Sequence, residues 1–451
     1  MTVYDVRIWE LRKLDGRRRP WQVRWTASGS EKSRTFATKA LAEGFRSELN
    51  QSARRGEAFD KTSGLPSRMA RVPSSRSWLG HARAYVDMKW PKAAANSRES
   101  MAESLATVSP ALVKARGGAP DSRALRRGLI GWAFCPPRRV ITPPDDVAAA
   151  LRWLAKASRP LVELAEPSVI RTALDALAVT LDGRPAAAET IRRKRAVFYN
   201  ALEFAVELGE LEANPIDRVK WRAPEIGVHV DRRVVASPAQ VRELLTGCTY
   251  VGRRDRGRRL VGFFACLYFA ALRPSEAAAL REGDCRFSRS GWGELVLTGS
   301  LPASGTRWTD DGAVHEARGL KHRPARDTRV VPIPPELCSI LRDHVARFGA
   351  GADGRLFRSE RGGRLQPSAY WYVWSQARRL ALPEDLAASP LAARPYDLRH
   401  AGVSLWLNAG VPATEVAARA GHSVDVLLKV YAKCIDGQGD VLNARIDTAL
   451  S

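Results

Sequence analysis

The chain has 451 residues, with 72 Lys+Arg against 48 Asp+Glu and a formal net charge of +24, enough for two to four domains with sizeable cores. So large a positive excess favours a polyanionic partner, nucleic acid or an acidic membrane surface. No apolar run is long enough to span a bilayer, the N-terminus lacks a secretory apolar core, and the six cysteines are scattered without a CxxC pair; a membrane segment, a disulfide scaffold and a metal site are therefore not expected.

Residues 1–76 hold 17 basic and 8 acidic residues, a balance of +9. Val3–Leu11 and Trp21–Trp25 alternate apolar and polar residues as strands do, Arg34–Ala37 predicts a third strand, and Thr38 caps a helix to Leu49. Arg24 and Arg34 lie in these strands among Trp9, Trp21 and Trp25. That face is either a solvated sheet surface or one that enters a major groove. Residues 1–60 form this unit, and the Pro/Ser/Gly-rich, basic stretch 61–77 is a linker.

Residues 78–225 are predicted to be mostly helical, with apolar residues at helical spacing in Trp78–Trp90, Val147–Lys156, Val169–Leu181 and Ala187–Leu208. The last of these carries Arg192, Arg193, Lys194 and Arg195, a run suited to phosphate contacts or to a merely solvated face. A second linker covers 226–237. Ser237-Pro238 then opens a helix as cap and first residue, and the region 238–436 follows, with a tail at 437–451.

In that region a buried helix over Gly262–Leu280 breaks at Ala271-Leu-Arg273-Pro274. Arg273 sits at the turn, where an ion pair with Glu276 is the bland alternative. Leu295–Gly299 and Thr328–Pro334 are predicted strands, with Lys321-His322-Arg323 heading a basic hairpin between them. A helix runs from Pro395 to Leu407 with Arg399 near its start, the next from Pro412 to Ala420, and a third from Ser423 to Tyr431 after Gly421-His422. Each residue alone has an ordinary reading, His422 as a core histidine and Tyr431 as a core aromatic. Their conjunction is specific: Arg399 precedes His422 by twenty-three residues, and His422 precedes Tyr431 by nine.

Arg273, Lys321, Arg399, His422 and Tyr431 resemble the active-site series of the tyrosine recombinases, the phage-integrase family. Ala-Leu-Arg-Pro-Ser-Glu resembles the family's first arginine box, and Gly421-His422 through Tyr431 its last. The resemblance covers roughly residues 238–436, with 78–225 similar to a core-type DNA-binding domain and residues 3–60 to an arm-binding sheet. It implies an α+β multidomain fold: a small N-terminal three-stranded sheet plus helix, a helical domain, and a mostly helical catalytic domain with a small β-sheet. Tyr431 is implied as the nucleophile forming a 3′-phosphotyrosyl link, Arg273 and Arg399 as phosphate clamps, Lys321 as the acid and His422 as a phosphate ligand. Tyr396 departs from the pattern, because the family usually has histidine, sometimes lysine, there. A phenol with a reference pKa of about 10 is a poor base at neutral pH.

The resemblance further implies double-stranded DNA as partner at core and arm sites, a homotetramer on DNA and an accessory directionality factor. No cofactor, metal or membrane is implied, and the protein is expected in the cytoplasm, bacterial or phage-encoded, on the nucleoid. The competing readings are a type IB topoisomerase-like or resolvase activity, and a catalytically weak DNA-binding regulator.

Overall fold

A computed structural model describes residues 2–14, 16, 19–61, 63–70, 76–114, 116–222, 224, 225, 227, 229–288, 291–321, 324, 327–434 and 439–451. The chain divides into two compact units, Met1–Pro91 with Met101–Ala223, and Lys92–Ser100 with Pro224–Ser451. The architecture is mostly helical with small sheets, as expected from the residue patterns.

The first unit begins with an antiparallel sheet in which β1 (Val6–Ile8) and β2 (Arg12–Lys13) both pair with β3 (Trp21–Ala27), which in turn pairs with β4 (Ser30–Phe36). The first strand expected over Val3–Leu11 is instead broken: Thr2–Val3 pairs with Phe59–Asp60 in a separate two-stranded sheet, and Val6–Ile8 joins the sheet described here, which has four strands rather than the three expected. β4 starts four residues earlier than expected because Ser28 and Gly29, at φ 50° and 76°, close a two-residue hairpin whose left-handed pair matches the strand twist. Val23, Trp25 and Ala27 are buried at period two, and Val23 and Trp25 with Phe59 and with Ala42, Phe45 and Leu49 of α1 (Lys39–Arg54) make a small core. Thr38 caps α1 by accepting from the Leu41 N–H. Further along come α2 (Trp78–Lys89), α3 (Asp145–Ala157), α4 (Pro167–Leu177) and α5 (Ala188–Glu207). Each matches a stretch of helical periodicity. The short helix Ser122–Gly128, capped by Asp121, was not legible because it buries only Leu125 and Gly128.

The second unit opens with α6 (Pro238–Cys248), whose Ser237 and Gln240 form a reciprocal capping box, satisfying two orphan N–H groups. α7 (Arg258–Phe269) is buried along nearly its whole length, as a hydrophobic helix of a large core must be. After a turn comes the short helix α8 (Pro274–Ala279). An antiparallel sheet follows in the order β5 (Cys285–Arg286), β6 (Gly293–Leu297), β7 (Arg329–Ile333). The segment between β6 and β7 is longer than the hairpin expected there. It folds back on itself through Ser300–Arg318 and Ala303–His315 bridges, buries Trp308 and His315, and places Lys321 in a turn, while His322 and Arg323 of the expected hairpin lie outside the described residues.

Helices α9 (Pro335–Phe348), α10 (Pro367–Ala381), α11 (Asp397–Asn408), α12 (Ala413–Ala420), α13 (Val424–Tyr431) and α14 (Gly439–Leu450) complete the unit. α11 packs tightly on α7. A Cβ at Gly402 would overlap the Tyr268 carbonyl, so only glycine permits this approach. That contact brings the first turn of α11, with Arg399, onto the turn that ends α7.

Candidate active site

The turn after α7 carries Ala271 at φ 46°, a left-handed conformation that costs a non-glycine residue about 1–2 kcal/mol. Its carbonyl accepts from Arg399 Nη1. Arg273, two residues on, caps α8. Its N–H donates to Glu276 Oε2 at 2.9 Å, its Nη1 to Glu276 Oε1 at 2.7 Å, and its Nη2 to the Gly421 carbonyl at 2.7 Å. Glu276 also takes both Nη groups of Arg329, at 3.1 and 2.7 Å. The ion pair weighed as an alternative for Arg273 therefore exists, and it coexists with a place in the cleft described below. The Glu276 side chain is 1% exposed. Burial pushes its carboxyl up, but Arg329, Arg273 and Arg399 outweigh that and hold it at about 2.

Arg399 is fully buried. Besides the Ala271 carbonyl, its Nη2 donates to the Ala420 carbonyl at 2.6 Å and to His422 Nε2 at 2.8 Å. Because a guanidinium can only donate, His422 Nε2 is the acceptor and its proton resides on Nδ1. That Nδ1 is buried without a hydrogen-bond partner. Gly421 precedes it at φ 65°, and a Cβ there would overlap Arg329 Nη1. The glycine is thus required twice, by backbone conformation and by the arginine packed against it.

Ser423 caps α13 by accepting from the Val426 N–H, and eight residues later the helix ends at Tyr431. The end is tied down by the Val230 N–H on the Val430 carbonyl at 2.9 Å and Asn408 Nδ2 on the Cys434 carbonyl at 3.0 Å. Tyr431 is fully buried, and its hydroxyl lies 2.9 Å from His400 Nδ1. Burial raises the Tyr431 phenol well above its ordinary value.

An open cleft is lined by Arg273, Lys321, Tyr396, Gly421, His422, Ser423 and Val426. Of the six expected catalytic residues, four line it: Arg273, Lys321, Tyr396 and His422. Arg399 and Tyr431 stand one layer behind, Arg399 bonded to His422, and Tyr431 with its ring 6.2 Å from that of His422. Residues far apart in sequence are therefore gathered at one place. Glu276 was legible only as an ion-pair partner, and Arg329 and His400 were missed. A signal for Arg329 exists: Arg329, Val331 and Ile333 share the buried face of β7 at period two, so an arginine at an inward position demands a buried partner. His400 is one turn from Tyr396, which places both on one helix face.

Burial lowers His422 to about 3, with Arg399 and Arg273 adding to the effect, and lowers His400 to about 4. Both are neutral in the fold at pH 7. As pH falls below about 6.5, the unfolded chain takes up these protons first. Stability is therefore present above pH 6.5 and lost on acidification towards pH 4, and Glu276 extends the loss from about 4.3 downward. For His400 alone the loss by pH 5 is up to about 2 kcal/mol. Urea unfolding at pH 7, 6 and 5 should show a falling midpoint, flattened by replacing both histidines with glutamine; an unchanged midpoint contradicts the burial described here.

In the first unit, Arg24 stacks over Trp9 and reaches Glu31 at 3.5 Å, and Arg34 is exposed beside Phe36 and Phe45. On α5, Arg192 and Arg193 are exposed, Lys194 donates to Thr107 Oγ1 at 3.1 Å, and Arg195 lies over Tyr199. The run is thus split between solvent and internal contacts. Arg323 lies outside the described residues. Among the described residues no cluster of His, Cys, Asp and Glu is arranged to hold a metal, and no helix is long and apolar enough to cross a membrane.

No family model matches the chain. It is 28% identical over 112 residues to the integrase of Mycobacterium phage D29, covering 24% of this chain and 28% of that one. It is 26% identical over 216 residues to the tyrosine recombinase XerA of Thermococcus onnurineus (strain NA1), covering 48% and 62%. The chain thus spans less than two thirds of the length of either relative. Among solved structures, the Tn1549 transposon integrase in complex with circular intermediate DNA aligns over 69% of this chain and 96% of that one, with TM-score 0.46 and 15% identity. The chain is related to the tyrosine recombinases. Within them, the curated relatives it matches are a phage integrase and a Xer-type recombinase.

Proposed function

We propose that the protein is a site-specific DNA recombinase of the integrase type, which cleaves and rejoins DNA through a 3′-phosphotyrosyl intermediate on Tyr431. The observation that carries this is the convergence of Arg273, Lys321 and His422 on one cleft, with the Tyr431 ring 6.2 Å from that of His422. A scissile phosphate in the cleft meets Arg273, held in orientation by Glu276, and the unpartnered Nδ1–H of His422. These donors neutralise charge that develops on the non-bridging oxygens. Arg399 adds positive charge from behind and fixes the His422 tautomer. To fork onto the phosphate itself it exchanges a backbone carbonyl for a phosphate oxygen. Lys321 protonates the leaving 5′ oxygen, and Tyr396 contributes a hydroxyl donor. The phosphotyrosyl bond conserves the energy of the broken linkage, so rejoining needs no ATP.

Exposed arginines on the N-terminal sheet and on α5 supply sequence-independent phosphate contacts, at arm-type and core-type sites respectively. The N-terminal sheet favours integration over simple relaxation, since a second DNA-binding module serves a second class of site. In this reading residues 1–60 are the arm-type domain, 78–225 the core-type domain and 238–436 the catalytic domain. Four copies act together in the cytoplasm on two duplexes, with an accessory factor setting direction.

Two differently labelled duplexes carrying the ends of the element that encodes the chain should yield recombinant products when mixed with the protein. Relaxation of supercoiled DNA without recombinants would replace the integrase reading with a topoisomerase-like one. Binding should fall about 10³-fold or more between 50 and 200 mM salt if six or more phosphates are contacted; a flat salt dependence counts against a DNA substrate.

A further inference from the structure

We infer that His400 is the group that accepts the Tyr431 proton during strand cleavage. The inference rests on the recombinase reading and deepens it. Strand cleavage needs a base because burial keeps the Tyr431 phenol protonated. Among the described residues Arg273, Arg399, Cys434, Tyr396, His422 and His400 surround Tyr431; the arginines can only donate, and burial keeps the Cys434 thiol protonated. Tyr396 is a phenol and a poor base. His422 has its one acceptor nitrogen, Nε2, occupied by an N–H of Arg399 at 2.8 Å. Among the described residues, His400 alone places a ring nitrogen, Nδ1, at hydrogen-bond distance from the Tyr431 hydroxyl, 2.9 Å. A phenol at that nitrogen donates to it when the imidazole proton is on Nε2.

The surroundings hold this arrangement. His400 follows Arg399 on α11 and lies one turn beyond Tyr396, whose ring packs edge-on against it at 5.1 Å. The charged and titratable groups around it are Asp397, Arg394 and Arg399 from its own helix and the turn before it, His422 from the turn before α13, and the phenols of Tyr396 and Tyr431. Burial keeps the imidazole neutral at pH 7, so its lone pair is available. In the step, the Tyr431 O–H bond breaks and its proton joins Nδ1. The phenolate oxygen bonds phosphorus, the bond from phosphorus to the 5′ oxygen breaks, and that oxygen takes a proton from Lys321. Religation returns each proton, so the cycle closes without an added acid or base.

The probe is a duplex recovered from a random-sequence pool by binding to the full-length Tyr431→Phe protein, then nicked to trap cleavage. His400→Gln should bind this duplex as the wild type does yet cleave it about 10²-fold or more slowly. Replacing the 5′ bridging oxygen with sulfur should rescue Lys321→Ala, which lacks the acid, but not His400→Gln, which lacks the base. His400→Gly should regain cleavage with added imidazoles, faster with the more basic ones, a dependence that cavity filling alone does not produce. Cleavage by His400→Gln within threefold of wild type, rescue by sulfur, or imidazole rescue indifferent to basicity each overturns the inference while leaving Tyr431 as nucleophile. Absence of any wild-type adduct on the duplex overturns the recombinase reading and this inference with it. If neither His400 variant binds DNA, ¹⁵N shifts of His400 in the wild-type complex decide: an unprotonated Nδ1 supports the inference and a protonated one refutes it.

Discussion

Tyr431→Phe should abolish covalent capture of DNA while leaving duplex affinity within a few-fold of wild type. The substitution removes one oxygen from a fully buried ring and keeps its packing. It deprives His400 Nδ1 of its partner at 2.9 Å, a loss of about 1 kcal/mol, too small to unfold a core of this size. The chemistry has no substitute at that position. Another phenol, Tyr396, lines the cleft with its ring packed edge-on against His400 at 5.1 Å, and among the described residues it makes no hydrogen bond like the one Tyr431 makes. Trapping on a nicked duplex, read by denaturing electrophoresis, measures the effect. A persistent adduct in the variant would assign the nucleophile to another residue.

The second large effect is structural. Glu276→Leu should destabilise the catalytic unit by about 3–5 kcal/mol, because Arg329, 3% exposed, is left charged and buried without its carboxylate. Arg273 loses its orienting partner at the same time, so cleavage should fail even where folding survives. Adding Arg329→Met to the variant removes the stranded charge. Stability should then return by several kcal/mol, since an apolar pair often replaces a buried ion pair without loss, whereas cleavage should not return, because Arg273 still lacks Glu276. Urea unfolding beside single-turnover cleavage separates the two. A single-variant loss below about 1 kcal/mol would show that the network is far better solvated than its geometry indicates.

The positions of the candidate site residues were more legible than the contacts that hold them. Arg273, His422 and Tyr431 sit at helix ends marked by Pro274, Gly421 and Ser423, signals that are local and survive without tertiary information. The helices that carry them followed from periodicity for the same reason. The length of the β6–β7 excursion did not, because its folding depends on burying Trp308 and His315 among residues distant in sequence. Arg329 and Glu276 form their pair across 53 positions, and nothing in a linear pattern says which buried charge answers which. His400 was hidden differently. It stood in plain view beside Arg399, but its role depends on a hydroxyl 31 residues away. The basic run of α5 looked uniform and is not, since Lys194 is spent on Thr107 while Arg192 and Arg193 face solvent.

The most direct measurement is to trap the wild-type protein on a nicked duplex, digest the adduct and identify the modified peptide by mass spectrometry. The expected product is a nucleotide joined through its 3′ phosphate to Tyr431 alone. A phosphotyrosyl link at Tyr396, a link through a 5′ phosphate, or a site-bound duplex that is never joined to the protein would contradict it.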